Sequence, residues 1–381
     1  MKWTYCEMLI RIDKSVVDLK DKDSLADEVI LALEMLAAAR REGKHAIIAE
    51  RETLQALSQC KQLLKISRNI YLRLLNEFTK FRSLQSSVNT YVEVTNHCPE
   101  PNLVKISNKK ILKVPPSFFN DSERIQKTIL LCEHSNDALF YESVAKCYLR
   151  WNNRNIYISC EYRGGGGSTL ANEYKNIQNS RNRFCLCIAD SDRIAPGSRL
   201  GSTANKVRSE DNNNCILTEV FILEVREIEN LIPLEILSAS CSGNKNREDA
   251  LMICEKILES SAFEMKFYLD LKQDTYMKDL VCSSDPTVKD FWTTKIRQVL
   301  DVSKGIDEWC LSNWKCSSSD DCKCKIPSGF GPNILGNTLE FMQSNSPHKL
   351  AKLVDGLHRL TWQAIGQEVV DWCFAESPIR A

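Results

Sequence analysis

The sequence lacks an excess of charge of either sign: Lys+Arg and Asp+Glu are both 50 in a chain of 381 residues. There is no net electrostatic pull toward nucleic acid, so a polyanion-binding surface has to be a local patch offset by acidic surface elsewhere. Zero net charge also protects little against self-association, which leaves room for a homo-oligomer or a partner protein. No run approaches the roughly 20 apolar residues of a membrane span, so no membrane contact is expected. Met1 to Asp13 carries Lys2, Glu7, Arg11 and Asp13 and has no apolar core of signal-peptide length. The Gly-Lys-Ser/Thr of a nucleoside triphosphate loop is missing, so any ATPase has to be a separate subunit.

Hydrophobic residues at 43% and charged residues at 26% are near globular averages, and the length suits more than one domain. Cysteine is plentiful and odd in number, at 17. Cys132, Cys185, Cys187 and Cys254 lie inside apolar runs, where a free thiol acts as a small core residue. The chain is too long for a disulfide-stapled secreted scaffold, so a cytoplasmic location is expected.

To about residue 125 the pattern is that of a mixed α/β accessory domain. The segment from Met8 is strand-like, Leu25–Arg41 has helical spacing stopped by Gly43, His45–Ile48 is a short apolar run, and Val88–Val94 alternates like a strand. Glu50–Leu64 and Ile66–Phe81 are helical in pattern. Asp13, Glu50 and Glu52 suggest a PIN-like nuclease arrangement, although isolated acids at strand ends are more often solvated surface. Pro115, Pro116 and Asn120–Asp121 mark a boundary.

Over 126–240, short apolar strands alternate with helix-length stretches: Thr128–Cys132, Asp137–Leu149, Asn155–Cys160, a helix from Leu170, Phe184–Ala189 and Cys215–Val225. This predicts a parallel sheet flanked by helices. Residues 200–214 are polar and predict a mobile loop. Over 241–381 the pattern is helical (Asp249–Leu258, Phe263–Leu271, Thr287–Leu300 and Leu350–Phe374), interrupted by a cysteine cluster.

The strands of 126–240 end in acids. Glu133 follows the first, with Asp137 one helical turn on; Asp190-Ser191-Asp192 follows the third; Glu227 and Glu229 stand beside Asn230 after the fourth. In an open parallel sheet the carboxyl ends of the strands form the ligand-binding edge. Gathered carboxylates repel, and a hard divalent cation such as Mg²⁺ relieves that repulsion with only one or two direct ligands. On an extended segment Asp190 and Asp192 point the same way and can share one ion. Such an ion activates water and neutralises a phosphodiester in transition.

Glu133…Asp137 and Asp190-x-Asp192, in that order, resemble the TOPRIM fold of topoisomerases, bacterial primases and OLD-type nucleases. Arg226-Glu227-Ile228-Glu229-Asn230-Leu231 further resembles a subgroup associated with bacterial anti-phage and abortive-infection systems. The resemblance implies that Glu133 is a general acid/base or metal ligand and that Asp190 and Asp192 are ligands of Mg²⁺ or Mn²⁺. Asp137 and Glu227 or Glu229 become supporting acids for a second ion. The family places Gly directly after the first glutamate, where this chain has His134.

Gly164–Gly167, between Arg163 and Ser168, is a candidate anion-binding or purely structural turn. Arg150, Arg154, Arg193, Arg199, Lys206 and Arg208 are candidate phosphate contacts. Cys310, Cys316, Cys322 and Cys324 form either a structural Zn²⁺ knot or a set of free thiols. The expectation is a metal-dependent nuclease acting on DNA or RNA, an effector of phage defence held in check by an ATPase or regulatory partner. The rival is a non-catalytic module that binds nucleic acid or a partner.

Overall fold

The computed structural model describes residues 8–18, 24–81, 84–158, 160–212, 215–241, 245–281, 283–299, 306–315, 324–326 and 328–379. The protein is α/β. Its contacts divide it into unit 1 (Met1–Cys187, Glu210–Val220 and Gln363–Ala381) and unit 2 (Ile188–Ser209 and Phe221–Trp362). This grouping is discontinuous and differs from the three consecutive segments that the composition suggests. The last stretch joins unit 1 through contacts between residues far apart in sequence. Phe374 and Ala375 pair antiparallel with Ile158 and Tyr157, the Ile379 N–H donates to Arg41 O at 2.9 Å, and Glu376 pairs with the buried Arg40 at 2.5 Å.

Unit 1 holds a five-stranded sheet in the order β2-β1-β3-β5-β4. Strands β1 (Leu9–Ile12), β2 (Ala46–Ala49), β3 (Thr90–Val94) and β5 (Lys109–Val114) run parallel. Strand β4 (Asn102–Ile106) closes one edge antiparallel to β5. The buried, near-continuous apolar character of β2 and most of β1 is what a parallel strand covered on both faces requires. Helix α1 (Asp27–Glu42) stops at Gly43, whose φ of 71° is a left-handed conformation that glycine adopts without cost. Helices α2 (Arg51–Gln59), α3 (Lys65–Asn76) and α4 (Phe78–Phe81) follow β2.

A second sheet has the order β10-β9-β6-β8, with β6 (Ile129–Cys132) parallel to both β8 (Glu161–Gly164) and β9 (Cys185–Ala189). Helix α5 (Ser135–Trp151) follows β6, and β10 (Thr218–Ile222) forms the edge beyond β9. The chain passes from unit 1 to unit 2 within β9, and again within β10.

Two expectations need correction. The strand expected at Asn155–Cys160 supplies only β7 (Tyr157–Ile158), which pairs with β11 (Phe374–Ala375). The strand beside β6 is β8, which lacks an apolar signal because it is an edge strand: Glu161 is paired with Arg163 and Arg183 instead of buried. Residues expected as a mobile loop contain helix α7 (Ser202–Glu210), pinned by Ala204 and Val207. Two buried residues three apart are enough for one seam of a short helix, and the polar remainder hides it.

Unit 2 is mainly helical, with Met265, Leu269 and Trp292 in its core. Phe263–Leu271, expected as a helix, is a 3₁₀ turn at Phe263–Phe267 followed by loop. The Trp292 indole N–H donates to Ile194 O at 2.7 Å and anchors the segment after β9 within this unit. Among the described residues no helix is long and apolar enough to cross a membrane.

Candidate functional site

The predicted acids fall into two sets. Glu133 and Asp137 belong to unit 1, and Asp190, Asp192, Glu227 and Glu229 to unit 2. In unit 1, Glu133 follows β6 and is half-buried. Asp137 works locally: its Oδ2 accepts the His134 N–H at 2.8 Å, closing the first turn of α5. His134 is exposed, with an extended backbone at φ −129° and ψ 156°, so the position where the family has glycine needs no glycine conformation here.

The glycine turn is committed to the same strand end. The Gly165 N–H donates to Cys132 O at 2.7 Å and the Gly166 N–H to Glu133 O at 3.0 Å. A Cβ on Gly165 would come within 2.7 Å of Leu170 Cα, so no side chain fits there. These two amides hold the backbone at Glu133, which leaves them unavailable to an anion.

Unit 2 ties the segment carrying Asp190 and Asp192 to the turn carrying Glu227 and Glu229. Asp190 Oδ1 accepts the Ile228 N–H at 3.0 Å, which fixes the turn carrying Glu227 and Glu229 against the segment after β9. Asp192 has a left-handed backbone, φ 52°, and its N–H donates to Arg226 O at 2.9 Å. An aspartate tolerates that conformation better than most residues. A Cβ on Gly201 would overlap the Asp192 carboxylate, and the Gly201 N–H donates to Ser191 O at 2.9 Å, so the loop closes over Asp192 only with glycine at 201. The buried Ser191 hydroxyl donates to Val225 O at 2.5 Å.

One cation faces this cluster without being part of the predicted motifs. Lys272 Nζ stands 3.2 Å from Glu229 Oε2 and 3.6 Å from Glu227 Oε2. An Asx turn presents it: Asp270 Oδ1 accepts the N–H groups of Lys272 and Gln273 at 3.1 and 2.7 Å, while Asp270 Oδ2 pairs with Arg226 at 2.9 Å. Glu229 is only 1% exposed, and neither of its carboxylate oxygens has a hydrogen-bond partner. Burial raises its pKa to about 7, with Lys272 pulling down and Glu227 pushing up. Glu229, Glu227 and Asp190 together raise Lys272 well above the ordinary lysine range, so the ammonium keeps its proton. Partial burial also raises Asp192, against the pull of Arg226 and Lys272.

Behind the Glu-x-Glu-Asn turn lies a buried polar chain that no local pattern signals. The Glu227 N–H donates to Asn230 Oδ1 at 2.9 Å, and Asn230 Nδ2 donates to Lys266 O and Leu269 O at 2.8 and 3.0 Å. Lys266, fully buried, gives its three protons to Asn230 O, Ile232 O and His358 Nε2 at 2.5, 2.8 and 2.8 Å. His358 Nε2 accepts, so its proton sits on Nδ1 and is donated to Asp355 Oδ2 at 2.6 Å. Burial lowers the Lys266 pKa to about 7, opposed by Cys254 and Asp355. Burial also lowers His358 to about 4, which keeps the imidazole neutral.

The fit to a metal has two sides. Orphaned, buried carboxylate oxygens on Glu227 and Glu229 are hard donors of the type Mg²⁺ or Mn²⁺ takes. Yet among the described residues no three His, Cys, Asp or Glu side chains are placed to hold one ion, and Lys272 provides the counter-charge. An ion could enter only if Lys272 moved away.

Cys310 and Cys324 are buried, and Cys324 Sγ accepts the Asp307 N–H at 3.2 Å. Cys316 and Cys322 lie outside the described residues. Asp13 and Glu50 follow the neighbouring parallel strands β1 and β2: Asp13 accepts the Ser15 N–H at 3.0 Å, Glu50 pairs with Arg11 at 3.1 Å, and Glu52 is exposed. Of the candidate phosphate contacts, Lys206 and Arg208 project from the exposed side of α7, whereas Arg154 is tied to Ser87 O at 2.5 Å. No family model, curated protein or solved structure matches this chain.

Proposed function

We propose that this protein is a metal-dependent nuclease with a TOPRIM-like catalytic domain over about residues 126–240, in which Asp190 and Asp192 take up Mg²⁺ or Mn²⁺ and Glu227 and Glu229 are supporting acids. One observation carries the reading: Glu229 is a fully buried acid on the turn that Asp190 fixes, with Glu227 beside it and Lys272 3.2 Å from its Oε2. A fold retains such a group at a cost of several kcal/mol, which favours a functional site over a structural one. The bound ion would supply a water nucleophile and charge neutralisation on the phosphodiester. Asp190 and Asn230 orient the acidic turn; Glu229, titrating near neutral pH, holds or releases a proton there. Lys206 and Arg208 are candidates for backbone phosphates. Glu133 enters as the general acid/base of the reaction on the strength of the motif resemblance. The anti-phage effector role and a controlling ATPase rest on the resemblance of residues 226–231 alone.

A second reading is favoured by Lys272. A lysine paired with Glu229 and Glu227 neutralises part of the cluster and fits a degenerate module that binds nucleic acid or a partner without cutting. Plasmid DNA and total tRNA incubated with Mg²⁺ or Mn²⁺ separate the two. The nuclease reading expects cleavage that Asp190→Ala and Glu229→Gln abolish and Glu133→Gln reduces by about 100-fold or more, the usual scale for a general acid/base. Inert wild-type protein that still retains either polymer supports the binding module.

A further inference from the structure

Strand β1 is an interior strand of the first sheet of unit 1, with β2 on one side and β3 on the other. The chain turns one way to reach β2 and the opposite way to reach β3, and the carboxyl edge at such a reversal is where open α/β sheets bind ligands. There β1 carries an arginine. Arg11 stands opposite Ile48 on β2 and Glu93 on β3, its side chain 23% exposed. It forms one wall of a cavity of about 480 Å³, otherwise lined mainly by Ile48, Leu54, Leu74 and Phe78 with Glu50 at its side. The size lies within the roughly 300–1,000 Å³ of small-molecule sites, and an apolar lining with one or two placed polar groups is their usual chemistry.

The two partners of Arg11 differ. Glu93, at 9% exposure, accepts from Arg11 Nη1 at 2.9 Å and is held on its other oxygen by Lys113 at 3.1 Å. Glu50, at 53% exposure, meets Nη2 at 3.1 Å with no second cation recorded for it. The first pair fixes the guanidinium. The second is an exposed ion pair of the kind worth at most about 1 kcal/mol, so another carboxylate can replace it at little cost. With Glu50 swung out, Arg11 and Lys113 face Glu93 alone, and one positive charge is left toward the cavity.

We propose that this cavity binds a small organic monoanion with an apolar body, an aryl-alkyl or medium-chain carboxylate, whose carboxylate takes the place of Glu50 on Arg11. The apolar body packs among Leu54, Leu74 and Phe78. A phosphate dianion is disfavoured because Glu93 stays beside it. The site is independent of the nuclease reading.

Calorimetric titration of the full chain with 4-phenylbutyrate, 4-phenylbutanol and AMP tests the proposal. Saturable binding of 4-phenylbutyrate is expected, with the neutral alcohol and AMP weaker by about tenfold or more, the scale of one charge-assisted hydrogen bond. Glu50→Gln removes the competing carboxylate and is expected to tighten binding, while Arg11→Met abolishes it. Because Arg11→Met strips the buried Glu93 of a partner and can unfold unit 1, the surface substitution Glu50→Gln is the deciding variant. No binding of the acid, equal binding of the alcohol, or weaker binding by Glu50→Gln overturns the proposal.

Discussion

Glu229→Gln should stabilise the protein increasingly as pH rises from about 4.5 to about 7, with the full effect retained above that. The wild-type carboxyl is pushed from an ordinary 4.5 to about 7 by burial, with Glu227 adding to the rise and Lys272 partly offsetting it. A folded-state pKa above the unfolded one means that the native state binds the extra proton between those two values. Stability is therefore lost as pH climbs through that window. At about 1.4 kcal/mol per tenfold change in proton affinity, the rise amounts to about 3 kcal/mol. Glutamine imitates the protonated acid and has no such loss. Urea denaturation in EDTA at pH 4.5, 6 and 8 should show the gap between variant and wild type widening by about 3 kcal/mol. Excess Mg²⁺ at pH 8 should then narrow it, because the ion offsets the charge that glutamine lacks. A gap that stays flat with pH would mean that Glu229 is ionised throughout and simply paired with Lys272. The cluster would then be a structural ion pair, and the argument for a metal site would fail.

Lys272→Met removes the cation that pairs with both Glu227 and Glu229; it should destabilise the apo protein at pH 8 and increase its Mn²⁺ affinity, read by electron paramagnetic resonance. Lys266→Met leaves two backbone carbonyls and His358 Nε2 without their donor, at a cost of about 3 kcal/mol or more in chemical denaturation. Gly201→Ala drives a methyl into the Asp192 carboxylate and should cost about 1–3 kcal/mol of stability together with the loss of any cleavage activity.

Much of the framework was legible without coordinates because it is written in local periodicity. The helix stopped at Gly43, the apolar strands β6 and β9, and helix α5 each announce themselves in consecutive residues. The edge strands were hidden for the reason that makes them edges. In β8, Glu161 and Arg163 satisfy each other instead of packing, and in β4, the exposed Asn102, Lys105 and Ile106 leave no buried apolar run. Helix α7 was hidden behind polar residues, with Ala204 and Val207 as its whole buried seam.

At the candidate site the division is sharper. The positions of Asp190, Asp192, Glu227 and Glu229 after strands are a property of the sequence, because strand ends and charged residues can be counted along it. Asp137 uses an oxygen to cap α5 from three residues away, a local matter, whereas Lys272 rather than another acid faces Glu229 because groups from separate segments are brought together. The same holds for Lys266 and His358, which are 92 residues apart and fully buried at 0% exposure. A charge is tolerated in a core only where every proton finds an acceptor, and those acceptors are assembled by tertiary packing alone.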